Sequence, residues 1–97
     1  MPEQDEHTHK DENVTIVVHN EDSGRNIPLK GRKGDTVQAF IDKLYEALKT
    51  TRKPDDRLRC ESSGQDVFQF AGLNIEDYLR HHCHSHEWLF AGGTGGA

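Results

Sequence analysis

Three features of the sequence predict an α+β fold, a mixed sheet of four to five short strands with one helix packed across it. Short β-branched runs bounded by turn residues stand near both ends of the chain, and one long amphipathic segment lies between them. At 97 residues, 32% hydrophobic and 30% charged, the chain has room for one small domain and one modest core.

The elements follow in order. Residues 1–13, "MPEQDEHTHKDEN", carry no large apolar side chain and are expected to form a disordered acidic arm, because nothing in them can repay the entropy of ordering. "VTIVVHN" from Val14 reads as a first strand, "EDSGRN" as a turn and "IPLKG" as a second strand, which together make a hairpin. Pro28 lacks an amide donor and so places its strand at a sheet edge, or turns that position outward. In "DTVQAFIDKLYEALKTTRKP" the period changes: Val37, Phe40, Ile41, Leu44, Tyr45 and Leu48 recur at helical spacing and form one apolar face. Asp35 is expected to cap this helix with Gln38 completing a capping box, Lys49, Arg52 and Lys53 suit its negative end, and Pro54 stops it. "RLRCES" and "VFQF" read as two further strands joined by "SGQD", "AGLNIEDYL" as a loop or single helical turn, and "HEWLFA" as the last strand. The domain is thus expected over residues 14–91, followed by a flexible glycine-rich tail over residues 92–97.

Twelve basic against seventeen acidic residues give a formal charge of −5, which offers no general attraction to nucleic acid or an anionic membrane. No apolar stretch approaches the roughly 20 residues that span a bilayer, and residues 1–13 have no signal-peptide core, so a cytoplasmic monomer is expected. Cys60 and Cys83 belong to no CxxC motif and in that compartment are expected to be reduced thiols.

"RHHCHSH" concentrates imidazoles. On an extended segment His82, His84 and His86 share one face, with His81 and Cys83 on the other, and three imidazoles make a weak candidate metal site. The spacing fits no standard finger, Glu87 is the only carboxylate near enough to support a ligand, and solvated loop histidines account for the run equally well. Cys83 has no recognisable base or oxyanion loop beside it and is not read as a catalytic nucleophile. No catalytic residue and no cofactor site is identified.

"KPDDRLRCE", "GLNIEDYL" and the terminal "AGGTGG" occur in the order and near the spacing of the ubiquitin-like β-grasp family, which the chain resembles from Val14 to Gly96. In that family a proline follows the helix, an Asp precedes the Arg-Leu of the third strand, and a Leu-x-Asp-Tyr loop is braced by its tyrosine, here Tyr78. The tail lacks the arginines that ubiquitin carries before its glycine pair. In this respect it is more like the divergent modifiers that bacteria encode beside their own activating enzyme, conjugating enzyme and metallopeptidase.

The resemblance implies a protein modifier with no catalysis of its own. A zinc metallopeptidase of the deubiquitinase type would remove Ala97, an activating enzyme would adenylate the exposed glycine with ATP, and a conjugating enzyme would pass it to target-protein amines. Glycines suit a tail that must thread a narrow channel, since a residue without Cβ lets the backbone approach closely. Gly95 and Gly96 are the expected terminus, six residues past Phe90. Gly92 and Gly93 are the alternative, leaving only three residues of reach at about 3.5 Å each. Lys10, Lys30, Lys33, Lys43, Lys49 and Lys53 are unranked attachment points for chains. Two other readings share the tail: a sulfur carrier with a terminal thiocarboxylate, and a β-grasp binding module whose tail never reacts.

Overall fold

A computed structural model describes residues 12–93, a four-stranded mixed sheet with two α-helices, an α+β arrangement compatible with a β-grasp. Strands β1 (Asn13–Asn20) and β2 (Arg25–Arg32) form the hairpin, α1 spans Val37–Leu48, and β3 (Arg57–Cys60) follows. A 3₁₀ turn (Val67–Phe70), α2 (Ile75–His81) and β4 (Glu87–Ala91) complete the order. The sheet runs β2-β1-β4-β3, with β4 parallel to β1 and antiparallel to β3. The last strand is therefore paired on both sides. Pro28 sits on the edge strand β2, where its missing donor costs no ladder bond on the open side.

The hairpin alternates as half-buried strands must: Val14, Ile16 and Val18 point into the core while Asn13, Thr15 and Val17 point outward. From the other side Val37, Phe40, Ile41, Leu44 and Tyr45 supply the apolar stripe of α1. Gly31 is needed where β2 passes beneath this helix, since a Cβ there would stand 2.5 Å from Phe40 Cζ.

The cap of α1 lies one residue later than expected. Thr36 Oγ1 accepts from the Ala39 amide at 3.2 Å, whereas Asp35 Oδ2 accepts from Arg32 N–H at 2.9 Å and closes the preceding turn. Gln38 makes no capping box; its amide donates to Asp42 one turn along at 2.7 Å. The Val37 and Gln38 amides donate to the Leu73 and Ala71 carbonyls, so the loop before α2 satisfies donors that a helix start leaves unpaired.

Further corrections concern the second half. "VFQF" is not a fifth strand: Asp66 Oδ1 accepts from Phe68 N–H at 3.0 Å and turns the run into a single 3₁₀ turn. "NIEDYLRH" is a second helix rather than a single turn, capped by Asn74 Oδ1 on the Glu76 amide at 2.9 Å, with Glu76 and Asp77 in its first turn and Arg80 and His81 in its last. The Tyr78 hydroxyl braces nothing: it is buried with no hydrogen-bond partner among the described residues, and burial, then the charge of Asp66, push it up to about 12.

The cysteines are not reduced thiols. Cys60, pointing inward at the end of β3, is disulfide-bonded to Cys83 just beyond α2, with Cα atoms 5.8 Å apart and both residues fully buried. Two thiols placed in contact by the fold need no CxxC motif to pair.

On the outward face of the sheet His19 bridges three strands. Its Nε2 lies 2.5 Å from Glu87 Oε1 on β4 and its Nδ1 2.6 Å from Asn26 Oδ1 on β2, an arrangement suited to an imidazolium donating through both nitrogens. The hydrogen bond to Glu87, then that to Asn26, raises its pKa above 6.5. A raised folded-state value contributes stability that is present below the unfolded pKa and fades as pH rises through the folded one. The urea midpoint of the protein is therefore expected to fall between pH 6 and pH 8, and the His19→Gln variant to lose that slope.

Opening the disulfide releases a loop of 23 residues in the unfolded chain, worth about 3 kcal/mol on the chain-entropy estimate. Thermal unfolding with and without reductant is expected to differ by roughly 15 °C for a domain of this size. An unchanged melt in reductant would remove the bond from the stability of the fold.

Candidate functional site

The chain leaves the sheet at the end of β4, between two acidic segments. Asn20 of β1 pairs with Phe90, and β1 then turns away through Glu21 and Asp22. On the other side β3 begins at Arg57, paired with Ala91, and is preceded by Asp55 and Asp56. Past Ala91 neither neighbouring strand continues. Side chains take over: Asp22 Oδ2 accepts from Gly92 N–H at 2.7 Å, and Asp56 Oδ1 accepts from Gly93 N–H at 2.6 Å. Successive amides of an extended chain point to opposite sides, and here one is met from the β1 side and the next from the β3 side.

A side chain at either position would crowd a carboxylate. A Cβ on Gly92 would stand 2.8 Å from Asp22 Oδ2, and one on Gly93 would overlap the Asp55 carboxylate. Glycine at 92 and 93 thus has a local reason, independent of anything the chain does beyond them.

Asp56 is the centre of this arrangement. It is 9% exposed and carries three donors: Gly93 N–H on Oδ1, and on Oδ2 the Tyr45 hydroxyl at 2.7 Å and Lys53 N–H at 2.9 Å. Burial alone pushes its pKa up, but the amide bonds from Lys53 and Gly93, then the Tyr45 hydroxyl, outweigh it and hold the carboxyl below 3.8. Tyr45 is shifted up, by burial and then by its bond to Asp56. One carboxylate thus ties the end of α1, the loop before β3 and the base of the tail. From sequence Gly93 is the alternative terminus and Lys53 a possible attachment point; the Asp56 and Tyr45 pairing has no sequence signal beyond Asp56 in "KPDDRL", part of a family motif.

The alternative terminus, Gly92 and Gly93, lies at this anchored base, while the expected terminus, Gly95 and Gly96, and Ala97 lie outside the described residues, as do residues 1–11 of the acidic arm. Lys30, Lys43, Lys49 and Lys53 are exposed, and Lys33 pairs with Glu12 at 3.0 Å.

The histidine run does not form the expected face. His81 ends α2, His82 is its cap, and residues 83–86 turn toward β4, so the alternation that would align His82, His84 and His86 is absent. His82 instead packs on Phe70, with ring centroids 4.5 Å apart. Among the described residues no group of three or more His, Cys, Asp or Glu side chains is placed to hold a metal ion. Cys83, bonded to Cys60, carries no thiol to act as a nucleophile.

The Tyr45→Phe variant removes one donor from a buried carboxylate and is expected to lose about 2 kcal/mol at neutral pH, the range for a hydrogen bond to a charged group. Because the Asp56 pKa is depressed, its contribution holds above the unfolded value of 3.8 and is lost as pH falls through the folded one. The difference between wild type and Tyr45→Phe, read by urea unfolding, is expected to shrink below pH 3.8. Neither the protein-family models nor the curated proteins compared with this chain give a match.

Proposed function

We propose that the chain is a ubiquitin-like protein modifier, matured by a zinc metallopeptidase to Gly96, adenylated by an activating enzyme with ATP and transferred through a conjugating enzyme to target-protein amines. The observation that carries this reading is the place from which the glycine-rich end departs. It follows β4, a strand paired on both sides, at a point held by Asp22 and Asp56. A terminus launched from the fixed middle of a sheet can be presented to an enzyme while the domain serves as a rigid handle. The chemistry belongs to the enzymes, and this chain contributes the carboxylate of Gly96 and the surface by which it is gripped.

Activation with ATP assigns the work to the cytoplasm, and no helix among the described residues is long and apolar enough to cross a membrane. The Cys60–Cys83 disulfide argues the other way, since reducing compartments keep thiols open. The modifier reading therefore requires that the domain still folds with this bond open in a reducing compartment.

Intact-mass spectrometry of the chain recovered under denaturing conditions from cells that produce it tests the reading. The expected result is loss of Ala97, together with heavier species that survive thiol and base and whose peptides join Gly96 to an amine. A processed terminus carrying sulfur in place of one oxygen assigns the chain to sulfur transfer. An intact Ala97 with no adducts leaves a binding module and ends the modifier reading.

A further inference from the structure

We infer that Asp22 and Asp56 are positioning residues that set where the reactive arm begins: they fix Gly92 and Gly93 as part of the folded domain, so that the arm starts at Thr94. The consequence for processing rests on the modifier reading; the anchoring itself does not. Two features carry it. The Gly92 and Gly93 amides are held by carboxylates 70 and 37 residues away in sequence, from opposite sides of the chain. The Asp22 and Asp55 carboxylates stand where a Cβ of these two residues would be, so a side chain at either position must turn a carboxylate aside.

The two glycine pairs of "AGGTGG" then have different work. The first is structural, because its amides close the end of the sheet and its missing Cβ atoms make room for the carboxylates. The second is the pair left for chemistry. A peptidase must draw the residues around its cleaved bond into an extended strand of its own, and the Gly93–Thr94 bond cannot be drawn in while the Gly93 amide is bonded to Asp56. While the anchor is closed, processing after Gly93 is thereby disfavoured relative to processing after Gly96. With the anchor closed, only Thr94, Gly95 and Gly96 extend past it, a reach of about 10 Å. Opening it adds Gly92 and Gly93 and lengthens the arm to five residues, about 17 Å, so a partner needing the longer reach must displace both aspartates.

Amide hydrogen exchange measured residue by residue on the full chain tests the anchor without any enzyme. In the wild type the Gly92 and Gly93 amides are expected to exchange at least about tenfold more slowly than those of Gly95 and Gly96, as befits hydrogen-bonded groups. Asp22→Ala is expected to release Gly92 and Asp22→Asn, which keeps an acceptor oxygen, to restore part of its protection. Because Asp56 also serves Tyr45 and Lys53, its bond to Gly93 is read in the wild type, from the protection of the Gly93 amide relative to Gly95 and Gly96. Gly92 and Gly93 amides as fast as those of Gly95 and Gly96 in the wild type overturn the inference. So does Gly92 protection that persists unchanged in Asp22→Ala. If the anchor is confirmed but mass spectrometry of the processed chain finds the cut after Gly93, the assignment of the two glycine pairs fails. If it is confirmed and no cut occurs at all, the modifier reading fails and the anchor stands.

Discussion

A carboxylate that is nine-tenths buried must be surrounded by donors, and Asp56 obtains its three from three separate parts of the chain. The Tyr45 hydroxyl comes from the last turns of α1, Lys53 N–H from the loop after it, and Gly93 N–H from the end of β4. Removing any one leaves charge in a site poor in water, where its cost exceeds that of a bond lost at the surface. The helix therefore ends, the loop turns and β3 starts at places compatible with this one group. Tyr45 is also packed edge-on against Phe90, so the donor to Asp56 is fixed by the same β4 residue that precedes the tail.

What was legible in the sequence was what depends on local pattern. The apolar stripe of α1, the hairpin, the edge position of Pro28 and the final strand all follow from periodicity and from residues adjacent in sequence. "VFQF" was misread because four apolar-rich residues cannot distinguish a strand from a single turn; the decisive residue was Asp66 just before them, whose side chain caps the turn. The second helix was underestimated although its Asn cap and acidic first turn are both written in "NIED". The histidine run was placed on an extended segment because its neighbours in β4 are extended, and the helix that ends at His81 removed the alternation on which three-imidazole binding depended.

The disulfide and the carboxylate anchors were beyond such reading for a common reason. Cys60 and Cys83 meet because β3 and the segment after α2 both face the core, and Asp22 meets Gly92 because the hairpin turn and the end of β4 lie at the same end of the sheet. These are contacts between distant segments, and two cysteines or two aspartates at those spacings carry no period. The expectation of reduced thiols came from the compartment, which constrains chemistry, whereas pairing is settled by geometry.

The strand ladder and the tail are one continuous problem of donors and acceptors. Through Phe90 and Ala91 the backbone of β4 is satisfied by β1 and β3. Both neighbours then leave, and an unassisted strand would fray from Gly92. Asp22 and Asp56 stand one or two residues outside the strands they flank, so that their side chains reach where backbone carbonyls would have been had β1 and β3 continued. A carboxylate accepts but does not donate, which suits the amides of the tail and leaves its carbonyls unserved. The extension of the sheet is therefore one-sided in chemistry and short, and it suits residues without Cβ because a Cβ at either position would crowd an aspartate carboxylate. That is sufficient to carry the ordered ladder of β4 two residues past its last strand pairing, to Gly93.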